Sequence, residues 1–359
     1  MIERKKTREV KIGKIKIGGN NPVAVQSMTC TKTADVKATV KQILELEDAE
    51  CEIVRCTANN LEAAKALGEI KKEINIPLVA DIHFDYLCAL EAAKHVDKIR
   101  INPGNIGSKE KTLAVINACK DRGIPIRIGV NAGSIEPKLL QKYGHPTAEA
   151  MVESALGHVK ILEEEDFTDI VISLKASDVP RTVKAYELMS KERNYPLHLG
   201  ITEAGTSWAG AIKSGVGIGI LLNEGIGDTI RVSLTTNDLV EEVKAGYEIL
   251  KALKLRDVGR EFTSCPTCGR TEIDLVGLAK RIEKATENIK EPIHIAVMGC
   301  VVNGPGEARE ADIGIAGGKN AGVIFRKGKV VKTCKESELF DEFMKELRKL
   351  LEGQRTEKK

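Results

Sequence analysis

Three cysteines near the carboxyl terminus have the spacing of ligands in a metal site. Cys265 and Cys268 form a Cys-x-x-Cys pair, and Cys300 follows Cys268 by 32 positions and opens a run that ends at Glu307. Four Cys or His ligands usually enclose a structural zinc ion, whereas an iron–sulfur cluster can leave one iron with a weak or exchangeable ligand. The set lacks a fourth cysteine, so Glu307 is a candidate oxygen ligand. An exposed loop glutamate is the alternative interpretation of Glu307.

Glycines at positions 299, 304 and 306 surround Cys300. Because they lack side chains, backbone N–H groups can approach a large anionic group there, and such hydrogen bonds tune iron–sulfur clusters. This pattern favours a cluster, while a zinc site completed by His294 or Cys334 stays open. His294 lies within an apolar strand and is more simply a packed histidine. A redox dithiol fits least, because Cys265 lies far from any opening strand of a βαβ unit.

A second group of reactive side chains lies near the ends of predicted strands. Residues two apart in a strand share a face, so polar residues at this spacing point together. Clustered cations suit phosphate, because arginine forks match phosphate oxygens. A solvated surface residue is the alternative for any single cation, but five occur at corresponding positions. These are Arg55, Arg100, Arg127, Lys175 and Arg231.

Other polar residues accompany these cations. Glu203 is the carboxylate best placed for proton transfer, with Asp81 and His83 as neighbours that could assist. The alternative roles are a counter-ion for Glu203 and a hydrogen-bonded structural histidine for His83. Four neutral side chains could orient the hydroxyl groups of a ligand: Asn102, Asn131, Ser177 and Ser233.

The elements that must position these residues follow from the hydrophobic pattern. Eight strands with intervening helices predict a closed (β/α)8 barrel, a TIM barrel, with its active site at the carboxyl ends of the strands. An open doubly wound sheet is the alternative, and the absence of Gly-x-Gly-x-x-Gly after the first strand disfavours its dinucleotide-binding form. The apolar runs lie at 23–28, 52–56, 77–82, 98–102, 125–130, 169–174, 197–202 and 229–234.

The pattern changes after the charged segment 254–263. The 359-residue chain exceeds the size at which one core usually stops growing, roughly 250–300 residues. We expect a TIM-barrel substrate-binding domain at 1–258 and a small α+β cluster domain at 263–359, with a frayed tail at 352–359. The second domain is predicted to contain a helix at 271–289, strands at 293–298 and 312–316, a hairpin of 323–326 with 329–333, and a helix at 337–351.

Charge and hydropathy disfavour several classes of function. Lys and Arg number 55 against 52 Asp and Glu, and aromatic residues make up 3% of the chain, so nothing favours binding to nucleic acid or to a membrane surface. The basic amino terminus lacks the apolar core of a signal peptide, and no run of about 20 apolar residues occurs. We expect a cytoplasmic protein, whose reducing surroundings disfavour disulfides. The scattered cysteines are typical of small buried residues, with Cys30 and Cys56 nearest to the strand ends.

The motifs taken together resemble one known family over nearly the whole chain. This is the family of bacterial two-domain 4-hydroxy-3-methylbut-2-enyl diphosphate synthases of the methylerythritol phosphate route to isoprenoids. The resemblance rests on Val-Gln-Ser-Met-Thr at 25–29, Val-Ala-Asp-Ile-His at 79–83, Lys-Ile-Arg-Ile-Asn-Pro-Gly-Asn at 98–105, Ile-Gly-Val-Asn-Ala-Gly-Ser at 128–134, Ser-Leu-Lys-Ala-Ser at 173–177, Leu-Gly-Ile-Thr-Glu-Ala-Gly at 199–205, Cys-Pro-Thr-Cys-Gly at 265–269 and Gly-Cys-Val-Val-Asn-Gly-Pro-Gly-Glu at 299–307.

The resemblance implies a reductive ring opening, with loss of water, of 2-C-methyl-D-erythritol 2,4-cyclodiphosphate. Ferredoxin or flavodoxin would deliver two electrons singly, and the diphosphate would lie among the five cations near Asn131 and Ser233. Glu203 would donate a proton and Asn303 would contact the substrate. The resemblance also implies a [4Fe-4S] cluster held by Cys265, Cys268, Cys300 and an exchangeable Glu307.

The resemblance further implies a head-to-tail homodimer, because the linker is short and the cluster domain must face a barrel mouth. One subunit's cluster domain would cap the other's barrel. A non-redox barrel with a structural zinc ribbon, an aldolase or a pterin-binding transferase, is the alternative. A nucleic-acid-binding module built on that ribbon is a third possibility, which the balanced charge disfavours.

Overall fold

The structure of the protein is a computed structural model that describes residues 2–300 and 309–357. The chain divides into two compact units, Met1–Arg256 and Asp257–Lys359. The first unit opens with an antiparallel hairpin of strand β1 (Val10–Ile12) and strand β2 (Ile15–Ile17). Among the described residues, no helix is long and apolar enough to cross a membrane.

Eight parallel strands follow the hairpin and form a closed barrel. Each strand pairs with the next, and the last pairs with the first through Thr229 and Ala24. Between the sixth and seventh strands the ring closes where the Ile172 N–H donates to the Pro196 carbonyl over 2.9 Å. The strands are β3 (Ala24–Met28), β4 (Ile53–Thr57), β5 (Leu78–Asp81), β6 (Lys98–Ile101), β7 (Ile126–Asn131), β8 (Ile170–Lys175), β9 (His198–Leu199) and β10 (Thr229–Ile230).

The barrel strands are buried on both faces, which explains their continuous apolar runs. Every residue of β5, β6 and β8 is buried. Apolar side chains of the hairpin pack against one residue on each of four strands, and this cluster fills the amino-terminal end of the barrel. Asp81 and Lys175, which follow Val79 and Val171 on the same strand faces, therefore lie nearer to the carboxyl end. The cluster comprises Val10, Ile12, Ile17, Ala24, Ile53, Val79 and Val171.

Helices follow the barrel strands. Polar side chains at five helix starts accept a hydrogen bond from an N–H of the first turn, which fixes where each loop from a strand end becomes helical. These caps are Asp35, Asn60, Asp85, Thr147 and Asp178. The helices are α1 (Val36–Asp48), α2 (Leu61–Glu73), α3 (Tyr86–Ala93), α4 (Pro103–Ile106), α5 (Lys109–Arg122), α6 (Pro137–Tyr143), α7 (Ala148–Glu163), α8 (Val179–Glu192), α9 (Ser207–Asn223) and α10 (Val240–Ala252).

The chain leaves the barrel at its amino-terminal end. After α10, Arg256 donates to the Val23 carbonyl over 2.9 Å and pairs with the Glu52 carboxylate at 3.1 Å. Val23 and Glu52 immediately precede β3 and β4. The exit point is therefore fixed at the end opposite to the carboxyl ends of the strands.

Within its described residues, the second unit has a five-stranded sheet packed against two long helices. Its strands are β11 (Arg260–Ser264), β12 (Ile293–Met298), β13 (Ile313–Gly318), β14 (Ala321–Arg326) and β15 (Lys329–Lys335), in that spatial order. The first three strands are parallel, and the last two add antiparallel pairs. Helices α11 (Leu275–Ala285) and α12 (Leu339–Glu357) share one core with the sheet, which includes Ile282, Ile295 and Phe343.

The expected fold class, a TIM barrel followed by a small α+β unit, is confirmed. Three local features differ from the expectation. The hairpin of β1 and β2 was not predicted, and β11 lies in the charged segment 254–263, because an edge strand with half-exposed residues has no apolar run. Helix α12 continues to Glu357 instead of ending at 351.

Candidate active site

The five cations lie in the barrel, but not all at strand ends. Arg55, Arg100 and Lys175 lie near the ends of β4, β6 and β8, and Arg231 directly follows β10. Arg127 does not fit the expected strand-end position. It is the second residue of β7, which continues to Asn131, and it is only 1% exposed. Arg127 therefore lies deeper in the barrel than a strand end.

Asp81 joins two of these cations. At the end of β5, its carboxylate accepts a hydrogen bond from Arg100 Nη1 over 2.9 Å and lies 3.4 Å from Arg55 Nε. Burial would raise the pKa of Asp81, but the charges of Arg55 and Arg100 outweigh it and lower the pKa to about 2. Asp81 is therefore an anion at neutral pH. A carboxylate held in this way acts as a counter-ion, which weighs against the expected help in proton transfer.

A buried glutamate that the sequence does not single out holds Arg231. Glu242, in the first turn of α10, is 2% exposed and accepts hydrogen bonds from Arg231 Nη2 at 3.0 and 3.1 Å. Arg231 Nη1 also donates to the hydroxyl of Ser233. An acidic residue in a first helical turn is ordinarily explained by the helix dipole, so the sequence carries no signal of this contact.

Three cations in the barrel have no carboxylate partner among the described residues: Lys98, Arg127 and Lys175. Nζ of Lys98 and two guanidinium nitrogens of Arg127 have no hydrogen-bond partner there either. Burial, followed by neighbouring positive charges, lowers the pKa of each of the three well below its ordinary value. Lys98 was missed in the sequence, although it lies two residues before Arg100 on the same face of β6.

Glycines make room for two of the long side chains. A Cβ at Gly200 would lie 2.6 Å from Nζ of Lys175, and a Cβ at Gly129 would collide with Nε of Arg100. Both glycines belong to the motifs at 128–134 and 199–205. Any larger residue at either position would displace a cation.

Two further polar residues of the barrel strands were missed. His198 on β9 is fully buried, and neither of its ring nitrogens has a hydrogen-bond partner among the described residues. Burial, followed by the charges of Arg127 and Lys175, lowers the pKa of His198 well below its ordinary value, so the ring is neutral at pH 7. The amide of Gln26 on β3 is likewise buried and unpartnered. The position of His198 two residues before Gly200 was the available signal.

Glu203 lies in the loop after β9 and is exposed. Its φ is +52°, in the left-handed region, which costs a non-glycine residue about 1–3 kcal/mol. No hydrogen bond or ion pair joins its carboxylate to another described side chain. His83 is half-buried, and its charge contributes to the lowered pKa of Asp81. The structure thus places His83 beside Asp81 but gives Glu203 no contact with either.

The neutral candidates occupy different depths. Asn102 is buried directly after β6, and Asn131 is half-buried and in register with Lys175. Ser233 is half-buried beside Arg231, whereas Ser177 is exposed after β8. Asn102, Asn131 and Ser233 therefore accompany the cations more closely than Ser177 does.

This group of side chains, which we call the cationic cup, has the chemistry of an anion site. It has more positive than negative charge, so it suits a ligand with several negative charges, and the arginine forks suit phosphate oxygens. The arginines that pair with Asp81 or Glu242 have fixed directions. Arg127 and Lys175 have no carboxylate partner among the described residues, so their N–H groups can donate to a ligand. The cup comprises Arg55, Lys98, Arg100, Arg127, Lys175 and Arg231 with the carboxylates Asp81 and Glu242.

The cysteines lie at the carboxyl edge of the second sheet. Cys265 directly follows β11, and Cys300 follows the parallel strand β12 by two residues. The Gly299 N–H donates to Sγ of Cys265 over 3.2 Å, and the Cys265 N–H donates to the Val297 carbonyl over 3.2 Å. The segments that carry Cys265 and Cys300 therefore lie side by side. Cys265 follows the opening strand of the βαβ unit β11–α11–β12, which corrects the expectation that it lies far from such a strand.

The backbone at Gly299 and the contacts of Cys268 favour thiolates as metal ligands. A Cβ at Gly299 would lie 3.0 Å from Leu275 and 3.1 Å from Thr271, so the backbone approaches closely only because this residue is glycine. Cys268 is exposed, and hydrogen bonds from the backbone and side chain of Arg270 lower its pKa. A lowered pKa favours the thiolate, the form that ligates metals. Soft thiolates that accept backbone N–H bonds fit an iron–sulfur cluster.

The proposed ligand set is incomplete in the part of the chain that the structure describes. Glu307 and Asn303 lie outside the described residues. Within residues 2–300 and 309–357, no three His, Cys, Asp or Glu side chains are grouped so that they could hold a metal ion. The alternative zinc ligands lie elsewhere: His294 makes a 2.8 Å hydrogen bond with Thr263, and Cys334 is on β15, at the opposite edge of the sheet from β11.

Most of the scattered cysteines are packed as expected. Cys51, Cys56, Cys88 and Cys119 are buried, and burial raises the pKa of Cys56 to about 11. Cys30 is exposed after β3, which differs from the expectation of a buried residue. Its Sγ accepts a hydrogen bond from Gln42 over 3.1 Å, so a local contact orients it at the surface.

One solved structure resembles the barrel. A dihydropteroate synthase from Stenotrophomonas maltophilia covers 69% of this chain and 98% of its own, with a TM-score of 0.51 and 11% identity. At this identity the likeness concerns the fold alone.

Two family models match the chain, the GcpE TIM-barrel domain over residues 7–247 and the GcpE protein C-terminal domain over residues 261–349. Two similar proteins are each named 4-hydroxy-3-methylbut-2-en-1-yl diphosphate synthase (flavodoxin). The protein of Clostridium perfringens is 61% identical over 345 residues, which cover 96% of this chain and 99% of that one. The protein of Geobacillus thermodenitrificans is 60% identical over 353 residues, with 98% and 94% covered. The chain therefore belongs to the GcpE family.

Proposed function

We propose that the chain is a 4-hydroxy-3-methylbut-2-en-1-yl diphosphate synthase of the methylerythritol phosphate route. It would convert 2-C-methyl-D-erythritol 2,4-cyclodiphosphate by reductive ring opening with loss of water. The cationic cup carries the proposal, because its excess of positive charge suits a substrate with two phosphate groups. A non-redox enzyme with a zinc ribbon is less well supported, because His294, one of the alternative zinc ligands, is hydrogen-bonded to Thr263.

The cup residues would have different roles in binding the substrate. Arg127 and Lys175, which have no carboxylate partner among the described residues, would bind phosphate oxygens directly. Arg55 and Arg100, held by Asp81, would present guanidinium groups in fixed directions. Asn102, Asn131 and Ser233 would orient the remaining oxygens of the substrate.

The overall reaction consumes electrons and protons in equal number and releases one water, so the site needs a proton donor. We assign that role to Glu203, because no arginine among the described residues holds its carboxylate, in contrast to Asp81 and Glu242. Its left-handed backbone fits a side chain that is held in place for function. His83, beside Asp81, would support proton movement or substrate binding.

Cys265, Cys268 and Cys300 would hold a [4Fe-4S] cluster, with Glu307 as the exchangeable fourth ligand. Such a cluster supplies single electrons and a Lewis-acidic iron. The chain itself contributes the Gly299 N–H to the sulfur of Cys265, and Arg270 favours the thiolate of Cys268. The carboxylate of Glu307 would be a hard oxygen ligand, which bonds iron–sulfur iron less strongly than a thiolate does.

The partners follow from the relatives and from the chain path. The names of the relatives include flavodoxin as the electron donor, and ferredoxin is the other candidate. The chain leaves the barrel at Arg256, at the end opposite to the cup, and β11 begins at Arg260. This short connection supports a head-to-tail homodimer in which the cysteine-bearing unit of a second copy completes each cup.

An anaerobic preparation tests the proposal. We expect a brown protein with about four irons per chain, which forms 4-hydroxy-3-methylbut-2-enyl diphosphate only when reduced flavodoxin is supplied, as measured by mass spectrometry. Glu203→Gln should keep the iron and the substrate affinity but lose turnover. A colourless protein with stoichiometric zinc, or activity without any reductant, would contradict the proposal.

A further inference from the structure

One buried carboxylate ties together three segments of the barrel wall. Glu242 accepts two hydrogen bonds from Arg231, at 3.0 and 3.1 Å, one from the hydroxyl of Ser27 at 3.0 Å and one from the N–H of Leu234 at 2.9 Å. Ser27 lies on β3 and Arg231 follows β10, so the carboxylate joins the first and last strands of the barrel. The Leu234 N–H adds the loop that follows β10.

We propose that Glu242 is a positioning residue for the reaction and acts through Arg231. Both of its bonds to Arg231 involve Nη2, while Nη1 donates to Ser233, so partners on two sides fix the guanidinium. Among the described residues, Nε of Arg231 is buried without a hydrogen-bond partner, so the recorded hydrogen bonds of the guanidinium are those of Nη1 and Nη2. This inference rests on the proposed function, because it takes the cyclic diphosphate as the ligand that Arg231 meets.

Electrostatics alone predicts that Glu242 weakens the binding of an anion. Its negative charge lies among the cations that would attract an anion, so neutralising it should strengthen the attraction for a diphosphate. Positioning predicts weaker binding on neutralisation, because a guanidinium must point correctly to donate a hydrogen bond to a phosphate oxygen. The sign of the change in affinity therefore separates the two roles.

A purely structural role would appear as lost stability without a change in affinity. Glu52 provides a matched control, because its carboxylate also holds an arginine, Arg256, at 3.1 Å and accepts a backbone N–H, that of Val25, over 2.8 Å. It lies at the amino-terminal end of the barrel, away from the cup. Glu52→Gln should therefore reproduce the loss of stability alone.

The experiment compares Glu242→Gln with Glu52→Gln in the full-length, cluster-loaded enzyme. We expect the dissociation constant of the cyclic diphosphate and KM to rise about tenfold or more for Glu242→Gln, with a smaller change in kcat, and to stay unchanged for Glu52→Gln. Equal or tighter binding by Glu242→Gln would overturn the inference. If the wild type does not bind the cyclic diphosphate, the proposed function fails instead, and the same comparison with inorganic pyrophosphate tests Glu242.

A second variant keeps the inference testable if Glu242→Gln does not fold. Arg231→Lys retains the positive charge but loses the fork that Glu242 holds, so it should weaken substrate binding by a similar factor. In the double variant the two losses should not add, because Glu242 acts through Arg231. Unchanged affinity in Arg231→Lys, or fully additive losses in the double variant, would contradict the positioning role.

Discussion

The cationic cup and the cysteine edge differ in how far the polypeptide itself has arranged them. Most side chains of the cup sit on or beside buried strands. Asp81 and Glu242 accept hydrogen bonds from Arg100 and Arg231, and Asp81 also forms an ion pair with Arg55. The cysteines lie in connections that follow β11 and β12, where Cys268 is exposed and Cys265 has one N–H donor to its sulfur. The cup is thus organised before any ligand binds, whereas the cysteine edge has only its backbone in place.

This contrast follows from the chemistry of the two sites. A cup for a phosphate-bearing substrate must keep its cations apart and directed in the absence of the substrate, and internal carboxylates do so. A cluster forms several strong bonds to thiolates and can organise its own ligands, since metal binding couples to the folding of the site. The barrel therefore holds its cations with internal carboxylates, whereas bonds to a cluster would complete the arrangement of the thiolates in the second unit.

The largest expected effect comes from removing one thiolate. Cys300→Ser should lose the iron, the brown colour and all turnover, because a serine oxygen is a poor ligand for a cluster. Binding of the cyclic diphosphate should change by less than about tenfold, since the cup lies in the other unit. Metal analysis and equilibrium binding measure the two properties separately.

The control for this variant is Cys334→Ser, which changes a half-buried cysteine on β15 of the same sheet. It should retain iron and activity. Iron retained by Cys300→Ser would remove that residue from the ligand set and would break the contrast between the two regions.

A smaller effect, on binding and stability together, is expected for Arg127→Met. Loss of a buried cation with unpartnered donors should weaken substrate binding roughly 100-fold, because those donors are free for phosphate. The same change should stabilise the fold by about 1–4 kcal/mol, since it removes an unpaired buried charge at similar volume. Calorimetry of binding and of thermal unfolding would measure both.

Arg193→Met is the matched control, because its guanidinium pairs with Glu163 at 3.2 Å at the amino-terminal end of the barrel. It should leave affinity unchanged and should not stabilise the protein. If Arg127→Met destabilises the fold, Arg127 has a partner that holds it, and the cup is less strained than we infer.

The smallest expected effect is a proton taken up on binding. Burial and the charges of Arg127 and Arg55 lower the pKa of Lys175, and a bound diphosphate should raise it again. Binding should therefore absorb protons, and affinity should fall as pH rises through the pKa of the free lysine. Calorimetric titrations in buffers with different ionisation enthalpies measure the uptake.

Lys175→Met should reduce this uptake, and any remainder belongs to Lys98 and His198, whose pKa values are lowered in the same way. Protons released on binding would contradict the sign of the effect. The absence of any uptake would contradict it as well, because it would mean that these groups are already charged without ligand.

The sequence predicted the barrel because eight apolar runs alternate with amphipathic helices, and that alternation allows few folds. It also pointed to five cup cations through their positions near strand ends. It could not predict the depth of Arg127, because the length of β7 is set by pairing with β8. The edge strand β11 was hidden for a related reason, since its half-exposed residues follow no apolar pattern.

Three buried polar residues show more clearly what the sequence does not reveal: Glu242, His198 and Lys98. A glutamate in a first helical turn and a histidine in a two-residue strand each have ordinary explanations, and only their burial separates them from others. Lys98 and His198 had only the signal of their spacing, two residues before Arg100 and two before Gly200. Burial of a polar side chain depends on what packs over it, so periodicity cannot reveal it.

By itself, the sequence determined the kinds of chemistry that are available: thiolates with a possible oxygen ligand, and cations with the forks that suit phosphate. Only the tertiary structure decided which cations are held and which are free. Asp81 reaches Arg100 across 19 positions of sequence, and Glu242 reaches Arg231 across 11. Such pairs form because strands and helices distant in the chain converge at one end of the barrel, and charge interactions depend on that distance in space.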